Sequence, residues 1–524
     1  MKKTHSTIRK KNSCEPGFIR KETGSTVAFL LALSMAFSGS MLLSSCSKKV
    51  TSSSATTSTI TTEPSESVTT SSESTRTDTS RDETTSTEER RETTTAPRDP
   101  DHYYSQIDDG IATEIVDQGK DGNCWAISAL ASMRTNFLIT YSEDLDLTID
   151  DVTFATVSSE KEEGLRMRKS GTEKETGGLP VYVCWAMANG CDGYTVTEYT
   201  LLYESAQEPD LHNTYVTNLA TKEQVKALIR NKGAVIVLLH DGKGEVEGDD
   251  YFAIYDSASS RRKDAEDGEL SQNYFTHAAV IVGWDDDFPK ENFSQSGNAK
   301  KGNTIPKEDG AWLLQNSGGT DWGDGGFAWV SYESAILFDG VMTVTDKYTD
   351  VLSYDVGALC GIRTGEKTVV ANVYHHEGTL TAVGTYVGID AEEPTKQGFS
   401  SMTDTSITIE IRDASMQEIL ATKDFEPEFF GYYVVELDDP VEVSDFAVVV
   451  RYGSAAPVEA EMPGGSGSRH NTSNREYITT IEEGQSFVYL DGEWLDLADS
   501  ETQEALGIDY APHNCCIKAL FEDG

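Results

Sequence analysis

The residues most able to do chemistry in this chain are a cysteine, a histidine and two side-chain amides, far apart in sequence. Cys124 stands in "DQGKDGNCWAIS" with Gln118 just upstream, His277 heads "HAAVIVGWDDDF", and Asn316 follows "AWLLQ". A Cys-Trp pair alone decides nothing, because free cysteine is among the most buried residue types. A neutral thiol is also a poor nucleophile, so a reactive cysteine must be held as a thiolate, which a helix N-terminus and a neighbouring imidazolium both favour. The stretch "CWAISALASMRTNFL" has the apolar spacing of a buried helix starting near Cys124, which would place the partial positive charge of its first turn beneath the sulfur.

Other elements must bring the partners to that helix. Ala278 to Trp284 is an apolar run of buried-strand character directly after His277, and Asn316 lies between a second apolar strand and a Gly-rich turn. "TKEQVKALIRNKGAVIVLLH" reads as an amphipathic helix, a stop at Gly233 and a strand. His240, after that strand, matches His277 on local pattern, but only His277 has the H-A-x-x-I-V-G-W setting.

Gln118, Cys124, His277 and Asn316, in that order, resemble the papain-type cysteine peptidases from about Tyr103 to Tyr332. The separation of Cys124 from His277 is close to the ~130 to 150 residues of that class. The resemblance implies a two-lobed α+β peptidase domain hydrolysing peptide bonds without a cofactor. His277 would pair with Cys124 and protonate the leaving amine, and Asn316 would fix the imidazole tautomer. Gln118 and the backbone N–H of Cys124 would donate to the oxyanion. Gly177 and Gly178 resemble the glycines whose backbone pairs with an extended substrate, or they form an ordinary turn before a helix begun by Pro180.

The sequence departs from that family in two places. Asp121-Gly122-Asn123-Cys124-Trp125 lacks the first cysteine of Cys-Gly-Ser-Cys-Trp, and with it a usual disulfide. Asn316-Ser317-Gly318-Gly319 replaces Asn-Ser-Trp-Gly, so a tryptophan that shields the Asn-His hydrogen bond is missing, with Trp322 left to compensate and to face substrate. The long Asp285 to Gly310 insert, acidic and polar, reads as a solvated loop.

The chain has 524 residues and a formal net charge of -45, which argues against a nucleic-acid partner. Its eight cysteines are too sparse for a disulfide framework or a zinc site, and no metal is expected. Cys184 and Cys191 are either bridged or inert, while Cys515 and Cys516 should face opposite sides of a strand. A basic start followed by "STVAFLLALSMAFSGSMLLSSC" is an export signal. Its end at Cys46 resembles a bacterial lipobox, with a plain signal anchor as the alternative. Either places the rest outside the cytoplasm, on the membrane's outer face or the cell surface. The Ser/Thr-rich stretch 47–100 has no aromatic residue and cannot offset the entropy of ordering, so it reads as a disordered linker. Its ~50 residues would span roughly 40 Å as a coil.

Past Ser334 short alternating runs predict an antiparallel sandwich, and their order resembles the lectin-like β domain of some bacterial papain relatives. The expected layout is a lipoprotein signal at 1–46, linker at 47–100, peptidase at 101–340 and β domain at 341–524. Glycan or cell-wall contact is what the lectin-like resemblance implies, and a packing module is the alternative, since Tyr432, Trp494 and Tyr510 are as readily core residues as sugar platforms. Adjacent His375 and His376 make a poor metal pair. The leading expectation is a surface-anchored cysteine endopeptidase acting on protein or peptide substrates. A surface binding protein that kept the fold without useful turnover is the alternative, motivated by Gly318, and a Cys-His transferase or amidase is a third reading that the motif contexts do not suggest.

Overall fold

The computed structural model describes residues 99–158, 163–167, 177–207, 214–240, 245–247, 252–256, 270–271, 275–293, 305–357, 360–388, 404–460, 475–506 and 512–522. Cys46, the export and linker segments, and Tyr510 lie outside the described residues.

The helix Cys124–Tyr141 is buried from Trp125 through Met133 and again at Thr135, Asn136 and Phe137. A helix enclosed on all sides cannot leave side-chain polar groups unpaired. Ser128 bonds back to the Cys124 carbonyl, and Ser132, Thr135 and Asn136 are bonded to the backbone of neighbouring segments. Ser132 Oγ donates to the Ala234 carbonyl at 2.7 Å and accepts the Met342 N–H at 3.0 Å. Thr135 Oγ1 accepts the Ala234 N–H, and Asn136 bridges the Lys232 carbonyl and the Val344 N–H. Gly233 makes this approach possible: its φ is +137°, and a Cβ there would lie 2.9 Å from both Asn136 N and Thr135 Oγ1.

The strand Val235–Leu239 thereby runs against the helix, and it pairs antiparallel with both His277–Asp285 and Leu337–Thr345. On its other edge His277–Asp285 pairs with Ala311–Gln315, which pairs with Phe327–Ser331. The helix Lys222–Asn231, begun by a Thr221/Gln224 capping box, is anchored where Lys226 Nζ reaches Asp286 at 2.8 Å. Helices Ile149–Thr156 and Pro180–Met187 cover the central helix, the second opened by Pro180 as its sequence predicts. The Asp285–Gly310 insert is only partly a solvated loop. Phe288 and Phe293 are buried with Tyr255 and Ala311, because a run that carries two phenylalanines among its charges can bury them beside the sheet.

The C-terminal part is all-β. Thr368–Val387 and Gly431–Tyr452 pair along nearly their whole length, with bulges between His375 and Gly378 and between Leu380 and Ala382. Ile407, Ile409 and Ile411 all face the core, and Cys515 and Cys516 enter two different cores, as alternation requires.

This β domain is not set apart from the peptidase. Gly431–Tyr433 pairs with Glu198–Thr200 of the strand Thr195–Leu201, so one sheet crosses the boundary. Tyr386, Phe430, Tyr432, Tyr477 and Cys516 join the core around the central helix, and Trp185 meets Tyr477 edge-on at 5.6 Å. Tyr432 is therefore a core residue. Cys184 in the same core is a free, fully buried thiol, so no Cys184–Cys191 bridge forms.

A shared core predicts shared unfolding. Tyr432→Ala is expected to cost about 3–5 kcal/mol and to lower a single transition seen together by tryptophan fluorescence and circular dichroism. Two separate transitions, only the later one moved, would contradict the shared core.

Candidate active site

Cys124 is the first residue of its helix, preceded by Asn123 at the N-cap, and it is half-buried. Asn123 gives no side-chain cap bond, and the Trp125 N–H of the first turn bonds the sulfur. Burial pushes the Cys124 thiol up. The hydrogen bond and charge of His277, then the N–H groups of Ala278 and Trp125, more than offset this, and the net shift is downward. Burial drives the thiols of Cys184, Cys515 and Cys516 the other way.

His277 starts its strand opposite Leu239. Its Nε2 lies 2.6 Å from Asn316 Oδ1, which fixes Nε2 as the donor, since an amide oxygen only accepts, and leaves Nδ1 for the thiol. Asn316 follows Gln315, which is paired with Val280, so adjacent antiparallel strands bring the two side chains together at one end of the sheet. Asn316 Oδ1 also accepts the Ser317 N–H at 2.8 Å.

Gln118 reaches the site on a loop tied to the Asn316 loop. Its N–H donates to the Ser317 carbonyl at 2.9 Å, and Asp117 bridges Gly318. One N–H of its side-chain amide goes to the Asp121 carbonyl at 2.9 Å, and its Oε1 accepts the Ser317 hydroxyl, which leaves the second amide N–H free of these two bonds. Ser317, buried and bonded to both Gln118 and Asn316, is the residue that sequence reasoning missed. Its position in Asn-Ser was the available signal.

Gly178 packs against Trp125, where a Cβ would come within 2.4 Å of the indole, while Gly177 is exposed with open space around it. The glycine requirement at 178 is thus a packing one, met beside the residue that follows Cys124. At Gly318 a Cβ would lie 3.1 Å from Trp322 Cβ, so Trp322 occupies the space beside that glycine. The Trp322 ring rests near Phe252 at 5.1 Å and its Nε1 donates to Glu245 at 3.3 Å.

A helix-borne thiol, an imidazole and an amide thus meet at one end of the sheet, and residues 100–344 match the model of the papain family cysteine protease. Residues 351–520 match that of the lectin like domain. The chain therefore carries a papain-family cysteine protease domain followed by an all-β lectin-like domain. It is similar to two solved structures of the Clostridium difficile surface layer associated protein Cwp84. One, a cysteine-to-alanine variant of the clostridial cysteine protease Cwp84 after propeptide cleavage, is 17% identical with a TM-score of 0.56, over 80% of this chain and 99% of that one. The other, comprising the cysteine protease and lectin-like domains, is 16% identical with a TM-score of 0.56, over 81% and 89%. At such identities the likeness is one of fold. No curated protein matches the chain significantly.

The downward shift at Cys124 sets a pH dependence. A thiol whose folded-state value is depressed stays ionised to lower pH and loses thiolate as pH falls through that depressed value. Alkylation of Cys124 by iodoacetamide, followed by peptide mass spectrometry, is expected to rise to its plateau below the ~8.5 of a free thiol. A midpoint at or above that value would contradict the pairing with His277.

Proposed function

We propose that this chain is a surface-anchored cysteine endopeptidase that cleaves protein or peptide substrates through an acyl-enzyme on Cys124. The observation that carries this reading is the hydrogen-bonded series from the Cys124 thiol through His277 to Asn316 at the start of a buried helix. In this reading the thiolate attacks the scissile carbonyl and His277 delivers its proton to the departing amine. Asn316 holds the imidazole, and Gln118 with the Cys124 N–H receives the oxyanion. Gly177 and Gly178 offer backbone to an extended substrate, and Trp322 flanks it while excluding water from the Asn316 side in place of a side chain at 318.

The peptidase domain is taken as 101–340 and the β domain as 341–524, after a signal at 1–46 lipidated at Cys46 and a linker at 47–100. The surface location of Cwp84 is in keeping with an anchored placement. The lectin-like match supports contact with glycan or cell wall.

The first test is titration of the reduced protein with a thiol-reactive epoxide, mapping the adduct and assaying peptide cleavage in parallel. Labelling at Cys124 with matching loss of cleavage is expected, as is loss of cleavage in Cys124→Ala. Absence of both labelling and cleavage in folded protein would favour a binding protein that kept the fold. Gln118→Ala is expected to lower kcat by on the order of 10²–10³ with little change in KM, measured on the same peptide.

A further inference from the structure

A second set of reactive groups comes from strands and loops of the β domain. Lys518 Nζ and Asp355 Oδ2 are 2.6 Å apart, and neither side chain is exposed at all. The register explains the encounter. Ser353 pairs with Lys518 where Asp350–Ser353 runs antiparallel to Ile517–Phe521, and Asp355 lies just beyond. Ser353 Oγ donates to Asp355 Oδ1 at 2.8 Å. Glu459, 1% exposed, accepts the Val356 N–H through Oε2 at 3.0 Å and Asn514 Nδ2 through Oε1 at 3.2 Å. The rings of Tyr386 and Tyr432 lie 6.0 and 5.9 Å from Nζ.

We propose that Lys518 and Asp355 join in an intramolecular isopeptide bond, with Glu459 as the proton carrier. A buried ion pair is a weak stabiliser because its desolvation offsets its attraction, whereas an amide removes both charges. The 2.6 Å contact puts Nζ within roughly 3.8 Å of Asp355 Cγ, given the length of a C–O bond, close to an attacking distance. Its bond to the N–H of Val356, the residue after Asp355, holds the Glu459 carboxyl next to the pair, and burial with the neighbouring Asp355 charge raises it well above the usual carboxylate range, so it carries a proton to give.

The step balances as a dehydration. Nζ passes one proton to Asp355 Oδ2, and its lone pair forms a bond to Cγ while Ser353 supports Oδ1. Glu459 gives its proton to the departing Oδ2 and recovers one from the nitrogen. The Cγ–Oδ2 bond breaks, water leaves, and no oxidant or other reactant is consumed. In water the solvated ions resist this reaction, and in a dry site they do not have that alternative. The bond would tie the segment entering the β domain to its last described strand, so neither end could peel away. This assignment is independent of the peptidase reading.

The full chain, shown to be folded by a cooperative thermal transition, is denatured, digested with trypsin and mapped by mass spectrometry. The expected product is one branched peptide containing Asp355 and Lys518, lighter than its two parts by one water, with no cleavage after Lys518. Folded Glu459→Gln is expected to give the two linear peptides and cleavage at Lys518. Linear peptides from folded wild-type protein would overturn the bond, and a branched peptide from Glu459→Gln would overturn the role of Glu459.

Discussion

The site depends on where one helix begins. Cys124 can meet His277 only if the helix Cys124–Tyr141 is held in depth and rotation against the strands that carry its partner. Ser132, Thr135 and Asn136 do this with bonds to the backbone of Ala234, Met342, Lys232 and Val344. Those contacts lie two to three turns from the sulfur. They act at that distance because the helix between is rigid and enclosed, so a fixed point on one turn fixes the others.

The same enclosure sets the electrostatics. Burial disfavours a thiolate at every core cysteine, and at Cys184, Cys515 and Cys516 nothing outweighs it. Cys124 differs because it lies at a helix start facing His277 and two backbone donors, so dehydration strengthens the attractions that favour charge. Asn316 extends the arrangement by committing Nε2, and its own orientation rests on Ser317. Gln118 is placed through the same serine. The geometry is therefore a single hydrogen-bonded unit drawn from separate loops, a strand end and a helix.

Much of this was legible in the sequence. Periodicity located the central helix, the Gly233 stop and the strand behind His277, and order picked His277 over His240. Local pattern could not show that Gly178 answers to the Trp125 ring, or that Trp322 fills the space beside Gly318, because both are contacts that chain order leaves open. The two phenylalanines of the Asp285–Gly310 insert were hidden by the charges around them. The core shared by the two domains was out of reach of the sequence for a related reason. Alternation marks which strand residues are buried but not against what, and Tyr432 reads the same whether it faces a sandwich or a neighbouring domain.

That shared boundary changes what the β domain does mechanically. Its strand Gly431–Tyr452 continues the sheet through Thr195–Leu201, and Thr195–Leu201 pairs with Leu337–Thr345, whose Met342 and Val344 N–H groups donate to Ser132 and Asn136. Close to this seam Asp339 is bonded to the Tyr199 hydroxyl and pushed up to about 7 by burial, while the Asp355–Lys518 pair lies on the β-domain side. Buried polar groups in such a place demand one arrangement of the strands around them, because any slip leaves an unpaired charge or hydroxyl. The lectin-like domain thus works as part of the frame that fixes the Cys124 helix.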